Sequence, residues 1–452
     1  MKEKYHFIAI GGVGMSGLAK YLLQEGFEVS GSDICESKYT QEVKGLGAKV
    51  YIGHNADNVP QNSTVVASSA IKDDNPEIVR AKELNLPILH RSDVLKQISE
   101  RSKCFIGFAG THGKTTTSGL ASYVMSKADL EPSYVVGGII PELNTNANYN
   151  SDNYFIAELD ESDGTVVKYR PNILVINNLD SDHTDFYKNG LSSLVETFDG
   201  MLEKYTREQK ILICTESEGN KMLKNRNFIT YGFDKSADYR ADNIEHSEKR
   251  SSFDIFKNGE FIVNLKIKLL GKHNVLNALA VFASLMEAGV DYNKISSYFV
   301  DFIGMGRRLQ YKGEINGAAI FDDYAHHPTE IKATLNALSE IKNKEYIAVF
   351  QPHRYSRLQS FWNDFILELS NVKRVIVTDV YSASENEIDG INSEKFVKDL
   401  SEKTDCVYAS GSIEDVAKVV YPYLTKDKII VGLGAGTITN LYKELVKLSE
   451  SK

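Results

Sequence analysis

The chain is poor in cysteine and proline and nearly without tryptophan: four, nine and one in 452 residues. Cys35, Cys104, Cys214 and Cys406 stand far apart and form no CxxC pair. That scatter argues against a zinc knuckle or a disulfide framework and points to a reducing compartment. No stretch reaches the roughly 18 apolar residues of a membrane span. The start, "MKEKYHFIAIGGVGMSGLA", resembles a short signal peptide, but Glu3, His6 and its glycines interrupt the apolar helix a signal needs. Basic charge is also short: the net charge is −9, so no general positive field is available for nucleic acid. What remains is 42% hydrophobic and 25% charged, the balance of a soluble globular protein, expected in the cytoplasm. At roughly 100–200 residues per domain, two to four domains are expected.

Strand and helix signals alternate along most of the chain. "YHFIAI" reads as a buried strand, followed by a glycine turn and by "MSGLAKYLLQEG", whose Leu18, Leu22 and Leu23 share a helical face. "EVSGSD", a strand near Val50 and "STVVASSA" continue the rhythm, with helices "PEIVRAKEL" and "SDVLKQIS". This makes a parallel α/β domain over residues 1–102. A second domain, 103–309, opens with "CFIGFA" and a helix after Gly113, and continues through "NYFIAELD" and "NILVINNLD". Within it "SFDIFKNGEFIVNLKIK" alternates on both sides of Asn258-Gly259, a hairpin signal, so part of this domain is antiparallel. The helix "NVLNALAVFASLMEAG" closes it. Over 310–452 the strands "AAIFDDYA", "YIAVFQPH", "RVIVTDVY" and "KIIVGLGAG" again alternate with helices.

"GFAGTHGKTTT" looks like a phosphate loop, yet it fails the usual spacing. The common pattern needs a glycine at 108, where the chain has Phe108; Gly110 stands three residues before Gly113. Gly110 and Gly113 still let the backbone approach phosphate oxygens. Lys114 supplies a point charge, and the Thr115 hydroxyl suits magnesium. "ELDESD" crowds Glu158, Asp160, Glu161 and Asp163 at a strand end, with Glu158 and Asp160 on one face by alternation. Such carboxylates need solvent or a hard cation. Glu158, nearest the strand body, is the favoured ligand.

"NNLDSDHTDFY" sets His183 among Asp180, Asp182 and Asp185, as a surface histidine or one with a metal or phosphate role. Asn274 and Asn277 in "GKHNVLNALA" lie one helical turn apart and can read a purine edge, although Asn274 also suits a helix cap. Gly12-x-Gly14-x-x-Gly17, with Asp33 at the next strand end, fits a dinucleotide, another nucleotide, or plain tight packing. Further on, "DDYAHHPTE" places Pro328 at a helix start, and "QPHRYSR" carries His353, Arg354 and Arg357. The two arginines suit a substrate carboxylate or a surface salt bridge.

In chain order, "GGVGMSG", "SGSD", "SSAI" with "NPE", "GTHGKTTT", "ELDESD", "NNLDSDHTD", "GKHNVLNALA", "FIGMGRRLQ", "DDYAHHPTE" and "QPHRYSR" resemble the Mur ligases, the amide-forming enzymes of peptidoglycan precursor synthesis. The likeness runs from Gly11 to Arg357, with weaker matches at "VYSASE" and "GAGTI". It implies a Rossmann-like UDP-binding domain, a central P-loop ATPase domain with a small antiparallel sheet, and a C-terminal Rossmann-like domain for the amino acid. "GGVGMSG", "DDYAHHPTE" and "FQPHRYSR" most resemble the branch that joins L-alanine to the lactyl carboxylate of UDP-N-acetylmuramate through an acyl phosphate, giving ADP and phosphate. The branch that attaches a recycled tripeptide to the same UDP-sugar is the alternative. A dehydrogenase or a non-catalytic UDP-sugar binder would leave Lys114, Glu158 and His183 without work.

By matching motifs, the resemblance implies that Gly12, Val13, Gly14, Met15, Ser32, Asp33 and Ser69 meet the UDP-sugar. Gly110, Thr111, His112, Gly113, Lys114, Thr115 and Thr116 would bind ATP phosphates, with Asn274 and Asn277 at adenine and Arg307 or Arg308 reaching the phosphates. Thr115, Glu158 and His183 would hold magnesium, as two ions, because donor and acceptor are both anionic. Tyr324, His326, His353, Arg354 and Arg357 would shape the alanine pocket. Lys114, His183, His326 and Arg354 are the candidate catalytic residues, with no general base assigned. The protein is expected as a monomer or homodimer, without nucleic-acid or membrane partners. Leu159, "GTVVKYRP", "NTNANYNSDN" and Thr437 depart from the family pattern.

Overall fold

The computed structural model describes residues 3–181, 186–224, 226–247, 250–341, 344–383 and 385–451. The first sheet is built from β1 (Lys4–Ile8), β2 (Glu28–Asp33), β3 (Lys49–Ile52), β4 (Thr64–Ala67) and β5 (Ile88–His90), in the order β3-β2-β1-β4-β5. Every pairing is parallel. Tyr5, Phe7 and Ile8 of β1 are buried, as expected for a strand covered on both faces. The order reverses beside β1, so the loops after β1 and β4 leave the carboxyl edge next to one another. That edge is where open α/β sheets bind ligands.

The second sheet comprises β6 (Cys104–Ala109), β7 (Ser133–Ile140), β8 (Thr145–Asn148), β9 (Tyr154–Glu158), β10 (Ile173–Ile176), β11 (Lys210–Cys214), β12 (Ile229–Gly232), β13 (Tyr239–His246), β14 (Ser251–Lys257) and β15 (Glu260–Ile267). Its order is β15-β14-β13-β12-β11-β10-β6-β9-β7-β8. β10 and β9 flank β6 in parallel, so the loops after all three emerge together. The β14–β15 hairpin turns at Asn258 (φ 51°) and Gly259 (φ 86°), the paired positive angles of a tight hairpin turn. Hydrogen bonding is continuous from β12 to β13, so the antiparallel strands extend the edge of the central sheet.

The third sheet contains β16 (Gln310–Ile315), β17 (Ala318–Asp323), β18 (Glu345–Phe350), β19 (Arg374–Thr378), β20 (Asp405–Ala409) and β21 (Lys428–Leu433). The order is β16-β17-β21-β18-β19-β20, parallel apart from β16. Here β17, β21 and β18 are adjacent, and their following loops carry "DDYAHHPTE", "GAGTI" and "QPHRYSR". The chain packs as two compact units: Met1–Ile244 with Phe253–Lys266 and Leu276–Phe302, and Glu245–Ser252 with Ile267–Val275 and Ile303–Lys452. Among the described residues, no helix is long and apolar enough to cross a membrane.

Candidate active site

In the first unit, β6 delivers the chain to a loop that only glycine permits. Gly110 has φ 114° and Gly113 φ 83°. A Cβ at Gly110 would lie 2.5 Å from the Asn178 carbonyl oxygen, and one at Gly113 would lie 2.6 Å from Asn277 Oδ1. The segment after β10 clamps this short loop. Thr111 N–H donates to Asn178 O (2.9 Å), His112 N–H donates to Asn178 Oδ1 (2.8 Å), and Asn178 Nδ2 donates to His112 O (3.1 Å). Asn178 was not singled out in the sequence, where it reads as one more polar residue past a strand.

Lys114 and Thr115 open the Lys114–Lys127 helix. Lys114 Nζ donates to Gly110 O (2.7 Å), Thr111 O (3.1 Å) and Glu161 Oε1 (2.9 Å). Burial would lower the pKa of this ammonium, but Glu161, Glu158 and Asp160 outweigh it and hold the pKa above its ordinary value. Glu161 is fully buried. It is the carboxylate that pairs with the lysine; the sequence singles out Glu158, as a metal ligand, and gives Glu161 no role of its own.

Glu158 ends β9 and accepts from Gly137 N–H (3.1 Å) on β7. A Cβ at Gly137 would come within 2.3 Å of Glu158 Oε2, so this strand glycine makes the room the carboxylate occupies. Burial pushes the Glu158 carboxyl up, opposed by the Lys114 ammonium and the Thr115 hydroxyl. Thr115 and Glu158 thus offer hard oxygen donors side by side, a set that fits magnesium. A bound dication would also favour the ionised form, against the effect of burial. Among the described residues no group of three or more His, Cys, Asp or Glu side chains is placed to hold a metal. His183, with Asp182 and Asp185, lies outside the described residues.

The other two acidic residues turn elsewhere. The strand stops at Glu158, which ends the alternation expected to place Asp160 on the same face. Leu159 packs instead against Gly107, where a Cβ would meet its Cδ1 at 2.7 Å. Asp160 accepts from Arg91 Nη2 (2.7 Å). Burial would raise its pKa, but Arg91 and Lys114 lower it to about 2. Asp163 accepts from Ser69 Oγ (3.1 Å) and from both Thr165 N–H and Oγ1. Lys168, in the departing segment "GTVVKYRP", donates to Asp93 (2.6 Å) and Ser92 (2.9 Å). Asn146, in "NTNANYNSDN", donates to Val13 O (2.9 Å).

The expected UDP-sugar residues share the carboxyl edge of the first sheet without forming one surface. Gly12 caps the Val13–Glu25 helix; Gly12 and Val13 (37%) are exposed at its start, and Gly14 is half-buried. Met15 is buried in the core. Asp33 is occupied by the turn itself, accepting from Gly11 N–H (2.8 Å). Ser32 is buried, donating to Glu77 (2.6 Å) and lying 2.8 Å from His54 Nδ1. Glu77 also accepts from Asn55 N–H and Asn58 Nδ2 (3.1 and 2.7 Å). Burial alone would raise its pKa; the hydrogen bonds lower it. Ser69 is exposed between His90 and Asp163. Asn277 faces the phosphate loop through its contact with Gly113.

In the second unit, Asn274 is the third residue of the Lys272–Glu287 helix and donates to Leu270 O (2.8 Å), so it does not cap that helix. Arg307 donates to the Gly434 and Ala435 carbonyls, pairs with Asp322 (3.5 Å) and stacks on Tyr324. Arg308, 3.5 Å from Glu330, is the more exposed of the two arginines. Gln351 donates to Thr437 Oγ1 (3.0 Å), which gives that departure a local partner. Tyr324, His326, His353 and Tyr381 form a chain of ring contacts, with the two imidazoles 5.6 Å apart.

Chemistry fixes both tautomers. His326 Nδ1 lies 2.9 Å from the Tyr324 carbonyl, which can only accept, so Nδ1 carries the proton and Nε2 the lone pair. His353 Nδ1 lies 3.1 Å from Arg357 Nη1, which can only donate, so His353 keeps its proton on Nε2. Burial lowers the His326 pKa, and burial with nearby His326, Arg357 and Arg354 lowers that of His353 to about 4. Arg354 is exposed at the start of the Tyr355–Ser360 helix, with φ 72°.

Family models match three consecutive stretches: "Mur ligase family, catalytic domain" at residues 4–103, "Mur ligase middle domain" at 108–285 and "Mur ligase, glutamate ligase domain" at 307–436. A UDP-N-acetylmuramate–L-alanine ligase of Geotalea uraniireducens is 38% identical over 452 residues, covering 98% of each chain. The chain belongs to the Mur ligase family. The enzyme of the same name from Dictyoglomus turgidum is 39% identical over 98% of this Mur ligase and 96% of its own length. Among solved structures, a UDP-N-acetylmuramate–alanine ligase from Thermotoga maritima superposes with a TM-score of 0.83 at 29% identity, covering 99% and 100% of the two chains. A murein peptide ligase from Psychrobacter arcticus, 21% identical over 98% of each chain with a TM-score of 0.67, shares the fold. The three-domain α/β architecture is that of the family.

Proposed function

We propose that this Mur ligase joins L-alanine to the lactyl carboxylate of UDP-N-acetylmuramate at the expense of ATP, as a cytoplasmic step of peptidoglycan precursor synthesis. Full-length similarity to relatives named for that reaction supports the choice of substrates. The observation that carries the chemistry is a lysine at a glycine-bounded loop, beside buried carboxylates. Residues 1–102 would bind the UDP-sugar, 103–309 ATP and 310–452 alanine.

A carboxylate is a poor electrophile, because its negative charge repels an attacking amine. Transfer of the γ-phosphoryl group to one lactyl oxygen makes an acyl phosphate. The alanine amine then attacks the carbonyl carbon, and the tetrahedral intermediate expels phosphate, leaving the amide and ADP. Lys114 would exchange its contacts with the Gly110 and Thr111 carbonyls for phosphate oxygens, where its charge stabilises the transferring group. Thr115 and Glu158 would hold magnesium, which neutralises charge between two anionic reactants; a second ion is expected with His183. Asn277, and Asn274 on the same helix, would meet adenine, with Arg308 or Arg307 at the phosphates. Arg354 and Arg357 would hold the alanine carboxylate. His326 Nε2, the imidazole nitrogen with the fixed lone pair, would take the ammonium proton.

The deciding assay compares acceptors. Phosphate release from ATP with UDP-N-acetylmuramate should require L-alanine and should be much slower with the tripeptide of the recycling branch. Preference for the tripeptide would replace this reading with the alternative.

A further inference from the structure

We propose that Arg91 grips the diphosphate of the UDP-sugar and ties that anion to the carboxylate loop beside Lys114; the inference rests on the ligase reading above. A diphosphate brings negative charge that its site must neutralise. The turn at residues 11–17, "GGVGMSG", contains no lysine or arginine. Its backbone supplies only the partial charge of a helix start, about half an elementary charge. Lys20, on the same helix, is buried and committed to Glu42 and Asn146.

Arg91 comes from the β5 side of the same edge, as the first residue of the Arg91–Arg101 helix. A Cβ on Gly14 would lie 3.6 Å from Arg91 Nη1, so the guanidinium stands at the glycine turn. Both of its ion pairs run through the other nitrogen: Nη2 lies 2.7 Å from Asp160 and 3.7 Å from Asp163. A guanidinium is planar, so fixing Nη2 fixes where Nη1 points. The side chain is 29% exposed, enough to meet a ligand at the turn while its far edge stays anchored. Asp160 lies between Glu158 and Glu161, the carboxylates around Lys114, so one cation joins the two anionic sites. A lysine there would keep the charge but lose the fork.

The test is calorimetric titration of UDP and of uridine into the wild type, Arg91→Gln and Arg91→Lys, with a non-hydrolysable ATP analogue saturating the Lys114 loop. Loss of a charged contact to the diphosphate should weaken UDP by about 10- to 100-fold in Arg91→Gln, by less in Arg91→Lys, and leave uridine unchanged. A strap that merely holds the fold would weaken UDP and uridine alike; equal losses, or no loss of UDP affinity, overturn the proposal. A wild type that binds neither UDP nor UDP-N-acetylmuramate would overturn the ligase reading itself.

Discussion

Lys114 and Glu161 form the pair on which the site is most exposed to mutation. With Lys114 removed, Glu161 would remain fully buried without the ammonium it now meets at 2.9 Å. Breaking one side of such a pair costs about 3–5 kcal/mol. Lys114→Ala should therefore lower stability as well as slow turnover by about 10²- to 10³-fold, while UDP-sugar binding persists. The double variant Lys114→Met/Glu161→Gln should regain most of the stability and none of the turnover. Urea unfolding beside a phosphate-release assay separates the two effects; a double variant no more stable than Lys114→Ala would contradict the pairing.

His326 sets a second residue-scale expectation. Its pKa lies below the ordinary 6.5 because burial disfavours the charged ring, and in the proposed reaction the neutral form would take the proton. The kcat/KM for alanine should thus fall on the acid side with a midpoint below about pH 6.5. His326→Ala should lose about 10²-fold or more and the acidic limb with it. A limb centred above pH 7, or one that survives the substitution, would exclude His326 as the base.

At the scale of elements, the sequence locates the central strands of each domain but reads past several of their ends, and it passes over β5, β7, β8, β11, β12, β13, β16 and β20. "CFIGFA" is β6 to the residue, whereas "NYFIAELD" and "NILVINNLD" were expected to continue as strands and stop at Glu158 and Ile176. Both tails keep an extended, alternating look after the hydrogen-bond ladder has ended, and they are the segments that carry the site. β7 was missed because Gly137 and Gly138 interrupt its apolar run, and glycine reads as a breaker. Yet Gly137 is where Glu158 enters. Gly137→Ala should push that carboxylate off its N–H donor and raise the magnesium needed for half-maximal activity by about 10- to 100-fold. An unchanged magnesium titration would show that Glu158 is not a ligand. Arg91 and Asn178 left no local signal, because their partners Asp160 and Thr111–His112 lie 69 and about 66 residues away in sequence.

For the whole molecule, the three-domain α/β order was legible because strand–helix alternation restarts twice and each sheet leaves its motifs on loops at one carboxyl edge. What alternation could not give was the partnership between domains, such as Lys168 with Asp93, which depends on charges brought together only by folding. Activation of the carboxylate itself by ATP is the step on which the proposed reaction turns. Its most direct measurement uses UDP-N-acetylmuramate carrying oxygen-18 in both lactyl carboxylate oxygens, incubated with ATP, magnesium and L-alanine. One labelled oxygen should appear in the released phosphate and the other in the amide. Amide formed with phosphate free of label would contradict that activation.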